Sequence, residues 1–127
     1  MIEQNGAVGA MYYDRESAWG FYGADSYTYY DTNRAGSGHA IMIVGWDDNF
    51  SKDNFKDGNK PAHDGAWLVR NSWGDYRDYF WMSYDTVSLI NTAWVFDFVS
   101  DDGYDNNYQL DGGIDTYQAS QTTVANV

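Results

Sequence analysis

The chain has 127 residues, which is enough for one domain with a moderate core. Its formal net charge of −12 opposes nucleic-acid binding, which needs clustered Lys and Arg, and it opposes docking on anionic lipid. The absence of cysteine excludes disulfides, thiolate zinc sites and a thiol nucleophile within these residues, and no apolar run approaches the roughly 18 residues of a membrane span.

The first third of the chain predicts a helix end followed by a strand. Residues 1–6 end in Asn5-Gly6, a pair typical of helix C-caps, and we interpret them as the tail of a helix that begins upstream, since five residues cannot nucleate one. Val8 to Tyr13 predicts a strand. Arg15 to Ser37 predicts an irregular, aromatic-rich connection with one short strand near Tyr27 to Tyr30.

The middle of the chain carries the strongest strand signal. His39 to Trp46 is a continuous apolar run, which predicts a strand buried on both faces. Asp47 to Gly65 is polar and predicts a surface loop. Further strands are predicted at Ala66 to Arg70, Tyr79 to Tyr84 and Thr92 to Val99. The fold class is therefore mainly β, a twisted antiparallel sheet or partial barrel.

A histidine and an asparagine are candidates for one site. His39 opens its strand and Asn71 follows the strand Ala66 to Arg70, so neighbouring antiparallel strands would bring both to the same rim. An amide oxygen that accepts from one imidazole N–H fixes the ring's tautomer and leaves the other nitrogen for a nucleophile. A buried Trp73 would shield that bond from water. Taken alone, the histidine is more often structural and Asn-Ser-Trp-Gly is most often a turn.

In combination these segments resemble the β-rich C-terminal half of papain-like cysteine peptidases. The resemblance spans residues 1–86, and the segments that carry it are Asn5-Gly6-Ala7-Val8, Gly38 to Trp46, Trp67 to Gly74 and Tyr79 to Tyr84. It implies the right-hand domain of the α+β papain-like fold, which is incomplete without the N-terminal helical domain.

The resemblance also implies a role for each candidate residue. His39 matches the general base and thiolate partner, Asn71 the residue that orients it, and Trp73 the indole that covers the pair. The family's nucleophilic cysteine and oxyanion-hole glutamine belong to the helical domain, with the cysteine expected about 90 or more residues before Met1. We therefore expect a cysteine-type endopeptidase fragment that hydrolyses peptide bonds in the complete enzyme and is inactive alone.

Two further segments narrow the resemblance. Residues 46–55 resemble the bacterial and archaeal members, which carry a lectin-like domain after the peptidase, and residues 91–113 resemble the start of that domain. The predicted domains are 1–90, the peptidase half, and 91–127, the start of the lectin-like region and a tail. By this resemblance we expect an extracellular or cell-surface protein with a polypeptide substrate and a glycan partner through the lectin-like region.

The chain departs from the family pattern after Gly74. Members usually continue with a second Trp-Gly element, whereas here Asp75-Tyr76-Arg77-Asp78 leads straight into Tyr79. This shortening affects the leaving-group side of the cleft. It also favours the alternative of a non-catalytic pseudo-peptidase or a peptide- or glycan-binding module. A third hypothesis is that the two halves are separate chains that assemble.

The remaining candidates predict no metal or cofactor. Four loop residues alternate like the early ligands of a calcium loop: Asp47, Asn49, Ser51 and Asp53. The sharp-turn glycine and the closing glutamate of such a loop are missing, so a solvated loop is favoured. His63 has no partner at zinc-ligand spacing. Ser37 and Ser72 lie near the candidate pair, but no nucleophile elbow accompanies them.

Overall fold

The computed structural model describes residues 2–23, 26–74 and 77–95, which form one short helix and seven strands. Helix α1 is a single turn at Ile2–Asn5, and two 3-10 turns lie at Glu16–Ala18 and Lys52–Asn54. The strands are β1 Val8–Asp14, β2 Trp19–Tyr22, β3 Ser26–Tyr29, β4 Ser37–Asp47, β5 Ala66–Arg70, β6 Tyr79–Ser83 and β7 Leu89–Trp94.

The predicted cap at Asn5-Gly6 is confirmed. Gly6 has φ of +77°, which glycine adopts without a Cβ penalty, and its N–H donates to the Ile2 carbonyl at 2.8 Å.

The strands form one sheet in the order β2-β3-β6-β5-β4-β1-β7. Every pair is antiparallel except β3 and β6, which are parallel. The mainly β class is therefore confirmed, but the described sheet is mixed rather than purely antiparallel. It is not closed into a barrel, since β2 and β7 stand at its two edges.

The main core lies on one face of this sheet, built from alternate residues of adjacent strands. The register places Ala10 opposite Ile41 and Val69 opposite Phe80. The buried members of this cluster are Ala10, Tyr12, Ala18, Trp19, Tyr29, Ile41, Ile43, Val69, Phe80 and Met82. Four of these buried side chains are aromatic. The large rings of a chain rich in Tyr and Trp thus fill the core on this face of the sheet.

Strand β4 forms where predicted, but its burial is one-sided. Ile41 and Ile43 are buried, while Met42 is half-buried and Ala40 exposed. The expectation of burial on both faces is wrong, because the described residues fully cover only one face of this strand.

Two other strands differ from the prediction. Strand β2 lies inside the stretch predicted as irregular, and it pairs with β3 along the edge of the sheet. Strand β7 begins at Leu89, three residues earlier than predicted, and pairs with β1.

The loop between β4 and β5 is more than a solvated excursion. Phe50 and Phe55 are buried with Ala66 in a second cluster, against which Tyr30 and Trp81 pack. The rings of Phe50 and Trp81 are stacked at 4.6 Å between centroids. The loop therefore carries a small core of its own beneath a polar surface.

Strand β7 crosses the predicted boundary between residues 90 and 91, and most of the predicted lectin-like region lies outside the described residues. That division stays a prediction. In the ranges that the structure describes, no helix has the length and hydropathy needed to cross a bilayer.

Candidate active site

His39 lies near the start of β4, on the core side of the sheet. The register places it opposite Tyr12 of β1, and its side chain is half-buried. Because Ile41 and Ile43 follow it at intervals of two residues, the imidazole stands at the end of the row of core side chains.

Asn71 follows β5, the antiparallel neighbour of β4. Met42 pairs with Arg70, so β5 ends beside the middle of β4 and the chain continues from there toward the His39 end. The Asn71 side chain is only 5% exposed, and its Oδ1 lies 2.7 Å from His39 Nε2. The structure thus brings together the two residues that the sequence predicted would share a rim.

A second donor fixes the orientation of the Asn71 amide. The Ser72 backbone N–H donates to Asn71 Oδ1 at 2.8 Å, so this atom accepts from both sides. Since an accepting oxygen requires a hydrogen on the imidazole, Nε2 of His39 carries the proton in the neutral ring. Nδ1 is the nitrogen left over, and within the described part of the chain it has no hydrogen-bond partner.

The loop that follows β5 holds Asn71 in place. The Asn71 N–H donates to the Asp78 carbonyl at 2.7 Å, and the Arg70 guanidinium pairs with the Asp78 carboxylate. These contacts close the connection from β5 to β6. Residues 75 and 76, in the segment where the chain departs from the family pattern, lie outside the described residues.

Two aromatic rings flank the imidazole. The ring of Trp73 lies 4.6 Å from that of His39, tilted by 31°, and Tyr12 presents its edge at 5.7 Å. The Trp73 ring therefore contacts the His39 ring, whereas no motif in the sequence points to Tyr12.

Further residues that sequence reasoning missed support these rings. Asp14 Oδ1 accepts from the Tyr12 hydroxyl at 3.1 Å and from Trp19 Nε1 at 2.8 Å. The ring centroids of Trp19 and Trp73 in turn lie 6.0 Å apart. Burial, and then the carboxylate of Asp14, raise the pKa of Tyr12 above its ordinary value, so the phenol is protonated at neutral pH and donates.

The buried side chain of Arg77 packs against the ring of Trp19. The Arg77 guanidinium sits 4.4 Å above the indole and forms two hydrogen bonds to Glu16, at 2.9 and 2.6 Å. The hydrogen bond from Arg77 lowers the pKa of Glu16. No short motif could reveal this contact, because Glu16 and Arg77 are 61 residues apart in the chain.

Neither candidate serine is built into the site. Ser37 and Ser72 are exposed, and neither hydroxyl forms a hydrogen bond to His39 among the described residues. Ser72 acts through its backbone N–H instead.

The loop residues that resembled calcium ligands have structural roles. Asp47 Oδ1 accepts from the Asn49 N–H, and Ser51 Oγ caps the 3-10 turn by accepting from the Asp53 N–H. Within the described ranges, no group of three His, Cys, Asp or Glu side chains is placed to hold a metal ion.

His63 pairs with Asp85 rather than with its neighbour in the chain. Its Nδ1 lies 3.2 Å from both carboxylate oxygens, and its backbone N–H donates to Asp85 at 2.9 Å. This contact ties the β4–β5 loop to the turn after β6.

Solved structures resemble this chain in both fold and sequence. The cysteine protease and lectin-like domains of Cwp84, a surface layer associated protein of Clostridium difficile, match with a TM-score of 0.61 and 36% identity over 76% of this chain. The clostridial cysteine protease Cwp84 after propeptide cleavage matches with the same values. This chain is related to cysteine proteases. The resemblance to a papain-like peptidase followed by a lectin-like domain is thereby confirmed.

The match has a limited extent. The chain spans 23% and 26% of the two solved chains, so it corresponds to about a quarter of each. No protein-family model matches it, and no curated protein does. The catalytic roles of His39, Asn71 and Trp73 stay predictions.

Proposed function

We propose that this chain supplies the general base and its orienting residue to a cysteine-type endopeptidase. The observation that carries the proposal is the 2.7 Å bond between His39 Nε2 and Asn71 Oδ1, which leaves Nδ1 without a partner among the described residues. Its occurrence in a chain 36% identical to a cysteine protease favours catalysis over a merely structural histidine.

The chemistry follows from which nitrogen is left over. His39 Nδ1 takes the proton of a cysteine thiol, and the thiolate attacks the scissile carbonyl to form a tetrahedral adduct. The imidazolium then protonates the leaving amine, and an acyl-enzyme thioester remains. Nδ1 next takes a proton from water, which attacks the thioester and releases the acid. Asn71 holds the ring in one orientation through both steps.

The nucleophile must come from outside these 127 residues, which contain no cysteine. In the resembling family it belongs to a helical domain, and so do the oxyanion donors. This chain is therefore expected to have no peptidase activity alone and to become active only with that domain, whether joined to it or as a separate chain.

The test supplies the missing half. The whole chain is mixed with, or fused behind, a papain-type helical domain that carries the cysteine, and thiol-dependent peptide hydrolysis is measured. His39→Ala should lower kcat/KM by roughly 10²–10⁴-fold, and Asn71→Ala should lower it by less. The matched control is His63→Ala, which should leave the rate unchanged. A folded assembly without thiol-dependent cleavage, or an equal loss in His63→Ala, would contradict the proposal.

The missing cysteine also favours a second candidate, a non-catalytic module that holds peptide. In that case the same assembly would bind an unstructured peptide, as measured by calorimetry, and leave it intact. Turnover of that peptide by the assembly would dismiss this candidate.

We further propose a place of action at the cell surface and a glycan partner through the lectin-like region that is predicted at 91–127. The support is that a matching structure comes from a surface layer associated protein and includes lectin-like domains. Glycan binding by the whole chain should be lost when residues 96–127 are removed. Equal binding by the shortened chain would count against this assignment.

A further inference from the structure

A cavity of about 580 Å³ opens at the far end of the core face from His39. Its floor is apolar and includes Val8 and Ile43, the first pair in the register of β1 and β4. Trp46, seven residues beyond His39, lines it, so the two lie roughly 20 Å apart along the strand. The volume falls in the range of about 300–1,000 Å³ that is usual for ligand pockets.

The walls of this cavity are aromatic. Trp46, Trp67 and Tyr84 line it, and the rings of Trp67 and Tyr84 lie 4.6 Å apart. Trp46 is 40% exposed although it lies in a core strand, one residue before the end of β4. An exposed indole that lines an apolar cavity is a ring to which an entering cation is attracted.

The polar groups at the cavity are acidic. Glu3 and Asp48 are both exposed at its edge, and no Lys, Arg or His is among the described residues that line it. Asp48 Oδ1 accepts from the Tyr84 hydroxyl at 2.8 Å, which orients the carboxylate, while Oδ2 has no hydrogen bond among the described residues. Burial, and then Asp48, raise the pKa of Tyr84, so this phenol is a neutral donor.

We infer that this cavity binds the basic side chain of a polypeptide partner, with the cation held between the indoles and the carboxylate of Asp48. Aromatic faces and carboxylates both attract cations, and the net charge of −12 opposes an acidic ligand. The inference needs only the cavity and is independent of the proposed peptidase function.

The experiment uses the whole chain and a capped lysine, N-acetyl-lysine N-methylamide. The six tryptophan indole N–H signals are followed by NMR, with N-acetyl-norleucine N-methylamide as the uncharged probe. We expect the signals of Trp46 and Trp67 to shift with a Kd in the millimolar range, and norleucine to bind at least about fivefold more weakly. Raising the ionic strength from about 0.01 M to about 0.15 M should weaken lysine binding.

Matched variants locate the site. Trp46→Ala and Asp48→Asn should each weaken lysine binding, and the second keeps an acceptor for Tyr84. Trp94→Ala, which removes an indole 42% exposed elsewhere, and Asp57→Asn, at a fully exposed carboxylate, should leave it unchanged. The inference would be overturned if both probes bound equally or if neither shifted the indole signals. It would also be overturned if Trp46→Ala and Asp48→Asn left lysine binding unchanged, or if a methyl glycoside shifted the signals in place of lysine.

Discussion

The amide of Asn71 shows how a single side chain sets the chemistry of another. Its oxygen accepts from the Ser72 N–H and from His39 Nε2, so the proton position on the imidazole is decided by the backbone of the next residue. Its Nδ2 is buried without a hydrogen-bond partner among the described residues. Since an unpaired buried donor costs about 1–3 kcal/mol, the same amide that orients the imidazole also lowers the stability of the fold.

Asp14 accepts hydrogen bonds from Tyr12, which flanks the imidazole, and from Trp19, whose ring packs against that of Trp73. Asp14→Ala leaves the Tyr12 hydroxyl and the Trp19 N–H without their acceptor, and we expect a loss of about 2–4 kcal/mol in the free energy of unfolding, measured with urea. Asp57→Ala is the control, because its side chain is 99% exposed and its replacement should change stability by less than about 0.5 kcal/mol. Equal stability of the two variants would refute the role assigned to Asp14.

At the scale of elements, the sequence predicted the strands that carry an apolar pattern of their own. It did not predict a strand that forms only because it pairs with a neighbouring strand. Strand β5, Ala66–Arg70, forms where predicted. Strand β2 was missed because Trp19–Tyr22 carries three aromatics around one glycine with no period, and only pairing with β3 makes it a strand. A glycine is needed there, since a Cβ on Gly20 would lie 2.9 Å from the Lys56 Cβ and the Thr28 Oγ1.

The small core of the β4–β5 loop leads to a prediction about local stability. Phe50→Ala removes a ring stacked on Trp81, and we expect a loss of about 2–4 kcal/mol in the free energy of local opening. Amide hydrogen exchange should quicken in residues 48–65 and stay slow at β5. The control is Phe21→Ala, since Phe21 is 65% exposed. Uniform acceleration across the sheet would show that the loop is not a separate unit.

The contact between Asp85 and the loop predicts acid sensitivity. Although burial raises the pKa of Asp85, hydrogen bonds from the backbone and imidazole of His63 and from the Ala62 N–H lower it below the ordinary value of 3.8. A carboxyl with a lowered folded pKa stabilises fully above the unfolded value and loses that contribution as pH falls through the folded one. The protection factors of the amides in residues 60–65, which correct the exchange rate for its intrinsic pH dependence, should therefore fall below about pH 4. Asp85→Asn should flatten this dependence, and an unchanged profile would contradict it.

At the scale of the whole molecule, the site was predictable because its motif is local and its partners share neighbouring strands. His39 and Asn71 are 32 residues apart, yet the two strong strands that flank the loop fix their meeting. The contacts of Asp14 and Arg77 with the Trp19 ring were not predictable, since they depend on where the aromatic segment from Arg15 onward joins the sheet. The parallel pairing of β3 with β6 is likewise set by tertiary packing.

The charge of the whole chain predicts a salt response. At neutral pH the net charge of −12 gives self-repulsion, so Tm should rise as the ionic strength is raised from about 0.01 M to about 0.15 M. Near the sequence pI of 4.1 the net charge vanishes, and the rise should disappear. A salt response of equal size at both pH values would argue against self-repulsion as its cause.

The most direct test of the central claim is the tautomer of His39, read from ¹⁵N NMR of the imidazoles. The chain has two histidines, so His63→Ala assigns the spectrum. The neutral His39 ring is expected to carry its proton on Nε2, bonded to Asn71 Oδ1, with Nδ1 unprotonated, and Asn71→Ala should abolish that preference. A ring protonated on Nδ1, or a tautomer that does not respond to Asn71→Ala, would contradict the account.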